Sequence, residues 1–553
     1  MTASATDPSP AGLSRTAAGE PVPLAAARST GRRPREDPLV GWSASIGVAL
    51  LAFFLRIWKV GTPNELSFDE TYYAKDAWSL VNHGYVRKYV EDANDLILDG
   101  DTRGFWQDDP SMIVHPEVGK WLIGLGEQVL GLDPTGWRIS SVVVGSLMVL
   151  LMVRLVRRLT GSTLWGCVAG LLLCFDGLQF VLSRLALLDI FLAFFTLCAV
   201  HCCVADRQWF RDRLAHRATS AGSGWGPVRS VLWRPWLFLG GISFGLAIGT
   251  KWSALFVLAA FGVLVWLWSS GARRSFGVRW PLLRSALVDG VPAFAHLVLV
   301  GFVVYVATWT GWLMNAGEYE RALSDTQYTQ YDGGKPWPTR DEPDASGIGE
   351  VTQSMRSLAY YHSDVYVFHT HFLDDSDHTY ESRPLGWLLL GRGVGVDADT
   401  DIQPGRQGCE AEAGSDCLRQ VILLGTPVLW WGSVLALLAS VGFWVGQRDW
   451  RFGIPVVGTL VTWLPWLAND DRPIFLFYAM PTLLFQVIAC TLVLGKLVGH
   501  ARAPTPRRTV GVIVSGSFVV LVLLNFAWFY PIYTDQLLTH REWLQRIWFS
   551  RWI

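Results

Sequence analysis

Ser67-Phe68-Asp69-Glu70-Thr71-Tyr72-Tyr73-Ala74-Lys75-Asp76 is the stretch on which the reading turns. It lies just beyond an apolar run that begins near Val40, and it carries two adjacent acids, Asp69 and Glu70. Charge at the mouth of a membrane span is costly to hold unless solvent, a partner or a substrate uses it. The stretch therefore closes a first span and marks a candidate site.

The 553 residues are 51% hydrophobic and 17% charged, with 29 tryptophans and a mean hydropathy of +0.29. Soluble domains carry about 25% charged residues, and many stretches here reach the about 20 apolar residues that cross a bilayer. The reading is an all-α polytopic membrane protein. A net charge of -1 gives no electrostatic footprint for nucleic acid. Candidate spans are 40–59, 137–156, 162–182, 186–204, 235–250, 252–270, 286–310, 420–445, 452–468, 474–495 and 509–530, eleven in all. The first starts too late and runs too long for a cleaved leader, so it reads as a signal anchor. Residues 1–39, rich in Ala, Pro, Ser and Arg, read as a disordered cytoplasmic tail.

Orientation follows from the arginines, because Lys and Arg are retained on the cytoplasmic side. The tail carries Arg28 to Arg35, and alternate loops carry Arg154, Arg157 and Arg158, then Arg207 to Arg217, Arg273 to Arg284, Arg448 and Arg451, and Arg502 to Arg508. Eleven spans put all of these on one side. The units are then an N-terminal membrane module 40–310 with a first extracytoplasmic loop 60–136, a second extracytoplasmic loop 311–419, membrane helices 420–530 and an extracytoplasmic tail 531–553. Both large loops are acid-rich, with Asp92 and Asp95 in the first and Asp374, Asp375 and Asp397 in the second. Six of the eight cysteines lie in or at the ends of spans, where a thiol is a small apolar group. Cys409 and Cys417 sit in the second outer loop, an oxidising setting where a disulfide persists.

Several polar residues sit at the outer ends of spans. They are His115-Pro116 with Lys120, Arg138, Arg184 with Asp189, Lys251 and Arg472. Each has a plainer reading alone. Asp69 and Glu70 suit a helix start, Arg138 and Arg184 suit snorkelling, Asp189 suits an ion pair with either arginine, and His115-Pro116 is a turn. Taken together, cations from separate turns could meet an anion at the outer face, and a lipid-linked phosphate is the candidate. Glycosyl transfer from a polyprenyl-phosphate sugar would use such a set. Cations neutralise the leaving phosphate, and one carboxylate serves as general base on an acceptor hydroxyl. No metal or cofactor is expected; the acidic run Asp397 to Asp401 reads as a solvated loop.

The chain resembles the protein O-mannosyltransferases, the dolichyl-phosphate-mannose–protein mannosyltransferase family with the GT-C fold, and looks most like actinobacterial members. The motifs that carry the likeness are Phe68-Asp69-Glu70 with Tyr73-Ala74-Lys75, His115-Pro116-Glu117-Val118-Gly119-Lys120, Trp137-Arg138-Ile139, Ser183-Arg184 through Asp189 to Leu192, Gly245 to Ser253, Tyr361-His362 with Phe368-His369-Thr370, His378 to Trp387, and Arg472 to Pro481. The resemblance implies about eleven membrane helices with two large outer loops. It implies inverting transfer of mannose from polyprenyl-phosphate-mannose to Ser/Thr hydroxyls of secreted proteins at the outer face of the plasma membrane. Asp69 would be the catalytic base and Glu70 would position acceptor or donor. Arg138 would contact the donor phosphate, and Arg184 with Asp189 would shape the site, with Lys251 and Arg472 on the donor side. His115, Pro116 and Lys120 would order the first loop, and His362 and His369 would serve loop order or the acceptor side. Eukaryotic relatives carry a sugar-binding-like domain in the second outer loop, for which the about 110 residues here leave no room. Glu117 stands where those relatives commonly have a second proline. Two alternatives stay open: a GT-C transferase with a lipid or glycan acceptor, and a transporter of lipid-linked sugars, although no internal repeat is visible. Docking on the secretion channel also stays open.

Overall fold

The computed structural model describes residues 37–217, 224–325, 336–343, 345–373, 376–468, 471–499 and 505–553. Arg28 to Arg35, Asp374, Asp375 and Arg502 lie outside the described residues. So does most of the 1–39 tail, but its last residues are helical. Asp37 caps a helix that starts at Pro38, and its side chain accepts from the Leu39 amide at 2.8 Å.

Among the described residues, eight helices are long and apolar enough to cross a membrane. They include α1 (Pro38–Ile57), α5 (Pro134–Thr160), α8 (Leu188–His216), α10 (Ala254–Ser275), α11 (Pro281–Ala307), α14 (Pro427–Gly446) and α17 (Pro506–Tyr533). The eighth ends in α16 (Met480–Val498). The remaining three expected spans appear as shorter helices. These are α6 (Thr163–Cys174) followed by α7 (Gly177–Leu182), then α9 (Pro235–Ile248), and α15 (Trp450–Trp463) running into a 3-10 turn over Leu464–Ala468.

Several boundaries differ from expectation, each for a local reason. The 162–182 span is broken at Asp176. Its carboxylate caps α7 through the Gln179 amide at 3.0 Å and also accepts from the Thr426 amide (3.1 Å) and the Trp430 indole (2.8 Å). One buried acid thus ties the two halves of the molecule together. The 420–445 span begins later, because Cys417–Leu423 is a strand and the helix starts at Pro427, a residue that suits a first helical turn. A short apolar run cannot be told from a helix by pattern alone. The arginine-bearing ends meet one another, with the Arg207 guanidinium 3.4 Å from the Trp450 ring centre and Arg451 reaching the Leu159 carbonyl at 3.4 Å.

At the opposite end the first large loop is structured. It contains α2 (Glu70–His83), α3 (Ala93–Leu98) inside a hairpin of β1 (Arg87–Tyr89) and β2 (Trp106–Pro110), and α4 (Val118–Leu130). The second loop folds over it through α12 (Ala316–Leu323) and α13 (Ile348–Val367). Trp309, Trp312, Tyr319, Trp337 and Tyr361 form a buried aromatic cluster. Two phenols of that cluster reach across. Tyr319 Oη accepts from the Val86 amide at 3.0 Å, while Tyr361 Oη bonds both the amide (2.5 Å) and the carbonyl (2.7 Å) of Ile113. The rest of the second loop forms a three-stranded antiparallel sheet of β3 (Val394–Ile402), β4 (Cys417–Leu423) and β5 (Leu538–Thr539), so residues beyond α17 pack back onto it. Cys409 and Cys417 are bonded, with S–S 2.01 Å, in a small core with Ile402.

Replacing Tyr361 by Phe leaves the buried Ile113 backbone unsatisfied. The variant should lose about 1–3 kcal/mol, read as a lower melting midpoint in detergent; an unchanged midpoint would remove this clamp from the account.

Candidate active site

The site is built at the start of α2. Phe68 takes a left-handed conformation, φ +50, and swings the chain so that Asp69 and Glu70 point different ways. Glu70, not Asp69, accepts the Ser67 amide (2.9 Å), and the Asp69 side chain caps nothing at its own helix end. Phe68 is held edge-on against the rings of His378, Phe475 and Phe477.

Glu70 is fully buried and saturated. Its oxygens take the Arg138 guanidinium in a fork (2.9 and 2.7 Å) and the amides of Ser67 and Ala186 (2.9 and 2.8 Å). Arg138 spends its other N–H groups on the carbonyls of Val60 (3.1 Å), Pro63 (2.8 Å) and Glu65 (2.9 Å). Arg138 was expected to contact the donor phosphate and Glu70 to position donor or acceptor. Their geometry corrects both, because neither has exposed surface and each donor on the guanidinium is used. The pair locks the loop entering α2. Arg184 also spends three of its N–H groups on backbone carbonyls. It donates to the carbonyls of Arg56 (2.7 Å), Trp58 (2.6 Å) and Lys59 (2.9 Å), closing the end of α1.

Asp69 remains partly exposed. Burial of its surroundings pushes its carboxyl up to about 6, the Lys251 ammonium opposing this, Asp189 adding to it, and a hydrogen bond from Tyr73 opposing it. Lys251 stands in the turn between α9 and α10. Its ammonium donates to Asp189 at 2.7 Å and lies 4.7 Å from the Tyr478 ring centre. Asp69, Tyr73, Asp189, Lys251 and Tyr478 therefore share one electrostatic neighbourhood. On its other flank the rings of His115 and His369 stack at 5.4 Å, and Arg472 donates to His369 Nδ1 at 2.6 Å. An arginine can only donate, so Nδ1 accepts, and Nε2–H donates to the Val114 carbonyl at 3.3 Å. Burial and Arg472 push His369 down to about 3, so its ring is neutral. It aims Arg472 instead of adding charge.

A third group borders the site. The Trp252 indole donates to Tyr305 Oη at 2.9 Å, and Tyr305 Oη lies 2.6 Å from His362 Nε2, while His362 Nδ1 lies 2.7 Å from the Leu358 carbonyl. That carbonyl takes the Nδ1 proton, so the phenol donates to Nε2. These three side chains rim a groove of about 460 Å³ whose wall is apolar, with Ile248, Leu255, Leu258, Val298 and Phe302. Lys120 meets Asp76 at 2.8 Å and joins α4 to α2. Pro116 is buried just before α4, and the Val118 amide donates to the Gly249 carbonyl at 3.0 Å. Gly119 lets α4 come close to α8, since a Cβ there would lie 2.6 Å from Leu188 Cδ2. The Cys409–Cys417 bridge belongs to the sheet.

Sequence reasoning gave no role to Tyr73, Tyr478, Trp252 or Tyr305. A signal existed for the first, because residues 69, 73 and 76 fall on one helical face. No spacing could have announced Tyr478, which arrives from the far end of the chain. Among the described residues, no group of three His, Cys, Asp or Glu side chains is arranged to hold a metal ion.

Two family descriptions match the chain. The one for dolichyl-phosphate-mannose-protein mannosyltransferase covers residues 46–310, and the one for the C-terminal four-helix region of protein-O-mannosyltransferase covers 355–552. A polyprenol-phosphate-mannose–protein mannosyltransferase of Mycolicibacterium smegmatis is 34% identical over 524 residues, 93% of this chain and 94% of that one. A protein of the same name from Corynebacterium glutamicum is 29% identical over 517 residues, 92% and 93% of the two chains. The solved Pmt1-Pmt2 complex of S. cerevisiae, bound to the sugar donor, superposes with a TM-score of 0.67 at 14% identity, covering 96% of this chain and 94% of that chain.

Removing one partner of a buried ion pair strands the other charge, at a cost of about 3–5 kcal/mol. Arg138→Ala should therefore melt well below the wild type in detergent, whereas Asp69→Asn should not. Equal melting midpoints for wild type and Arg138→Ala would refute the lock.

Proposed function

Because the chain belongs to the dolichyl-phosphate-mannose-protein mannosyltransferase family, we propose that Asp69 is the base that lets a Ser or Thr hydroxyl of an acceptor protein take mannose from a polyprenyl-phosphate-mannose donor. The chain is a multi-pass membrane glycosyltransferase of the protein O-mannosyltransferase kind. The observation that carries the assignment is the contrast between the two neighbouring acids. Glu70 is buried and fully bonded, while Asp69 keeps access and a carboxyl raised to about 6. A base works best when its proton affinity approaches the operating pH while it stays mostly ionised.

In the proposed reaction the acceptor oxygen attacks mannose C1 as the bond from C1 to the phosphate oxygen breaks. The electron pair leaves on the prenyl phosphate, the hydroxyl proton passes to Asp69, and C1 inverts. Lys251 and Arg472 are the cations placed to receive the phosphate charge. Lys251 gives one N–H to Asp189, and Arg472 is aimed by His369. The apolar groove beside Trp252 suits the first prenyl units. No metal is assigned, since these two cations can offset the leaving charge. The distribution of arginines supports a cytoplasmic arginine-rich end. The acceptors would then be secreted proteins, met at the outer face of the plasma membrane.

With labelled donor in reconstituted membranes, Asp69→Asn should drop protein labelling by about 100-fold or more while the variant stays folded; near-normal transfer would remove Asp69 from the base role. Label found only in lipid would sink the protein acceptor. As pH falls through about 6, Asp69 gains a proton and kcat/KM should fall with it; a flat profile from pH 5 to 8 would contradict this. A chelator should leave the rate unchanged, and a loss restored by added magnesium would overturn the metal-free assignment.

A further inference from the structure

At the arginine-rich end, away from Asp69, the helices α1, α5, α8 and α9 part around a crevice of about 790 Å³. One face of α5 lines its mouth with Arg154, Arg157 and Arg158, spaced so that three like charges sit together on adjacent turns. The Arg154 guanidinium lies 3.8 Å from the Trp42 ring centre, and that of Arg158 lies 5.5 Å from the Trp236 ring centre. Among the described residues, neither Arg154 nor Arg158 has a carboxylate at ion-pair distance. Arg158 has one long bond, 3.4 Å to Gln208. Among the described residues, one terminal nitrogen of Arg154 and Nδ1 of His201 are buried with no hydrogen-bond partner. Deeper in, the wall turns apolar with Leu150, Leu151, Leu239 and Ile242, and Leu239 is half exposed on the outer surface of the bundle.

Arginines at a cytoplasmic membrane edge are explained in part by topology alone. A snorkelling arginine, however, reaches toward water. Here a guanidinium nitrogen is withdrawn from solvent, laid over an indole and left without an acceptor. Basic pockets between membrane helices suit anionic head groups. A free phosphate would answer the charge but leave the apolar wall uncovered.

We propose that this crevice binds an anionic phospholipid, its phosphodiester between Arg154 and Arg158 and one acyl chain along Leu151 and Leu239. The site is separate from the donor site, because it lies at the other end of α5 from Arg138.

The test uses the full-length protein in detergent, stripped of lipid. Phosphatidylglycerol should be retained as a one-to-one adduct in native mass spectrometry and should raise the melting midpoint, whereas phosphatidylcholine should do neither. Arg154→Gln with Arg158→Gln should weaken phosphatidylglycerol binding roughly thirtyfold, and Arg274→Gln, exposed at the same end, should leave it unchanged. Equal binding of both lipids, or undiminished binding by the double variant, would overturn the proposal. Displacement of the lipid by inorganic phosphate at equal concentration would overturn the lipid as its source. Should the double variant fail to insert, wild-type protein treated with phosphatidylglycerol carrying a photoreactive acyl chain decides the matter. Label concentrated on 150–158 and 236–243 supports the site, and label spread over all lipid-facing helices overturns it.

Discussion

The Arg138–Glu70 fork is the constraint on which the arrangement around Asp69 depends. Two opposite charges with no exposed surface are held by two mutual bonds and by five further bonds to backbone groups of the loop and of Ala186. Such a pair need not add stability over apolar packing, since taking both ions from water costs much of what their attraction returns. What it contributes is definition. With Glu70 fixed, the residue before it has one direction left, and Asp69 is delivered toward Lys251 and Asp189.

A second layer keeps that geometry in place. The hydroxyls of Tyr319 and Tyr361 hold the hairpin and the segment before His115 from above. Neutral His369 aims Arg472 from the side. The site is therefore assembled from at least five separated segments, each of modest length, with aromatic rings as the common packing material. Burial does two jobs here, since it raises the proton affinity of Asp69 and holds His369 neutral.

Much of the architecture was legible in the chain, because long apolar runs obey the bilayer directly. The failures lay where pattern is silent. Cys417–Leu423 is apolar and short, so nothing local distinguishes a buried strand from the top of a helix. Asp176 breaks an apolar run only because Thr426 and Trp430 come to meet it from 250 residues or more away. At the site, the importance of the 69–70 pair was visible, but the division of labour was not. Which acid is spent depends on a left-handed Phe68 and on an arginine 68 residues downstream of Glu70. Arg138 was given the wrong partner, since sequence locates a charge without saying which oxygens surround it.

The ring of Phe68 has a bearing on biogenesis. Its neighbours are His378, Phe475 and Phe477, all made long after it. A nascent chain carries Asp69 early in synthesis, yet the hydrophobic seat of the turn before it exists only once the ribosome has entered the final quarter of the message. The unfinished polypeptide thus holds the acid without its housing, and assembly of the cluster around it is deferred until nearly every span has been threaded.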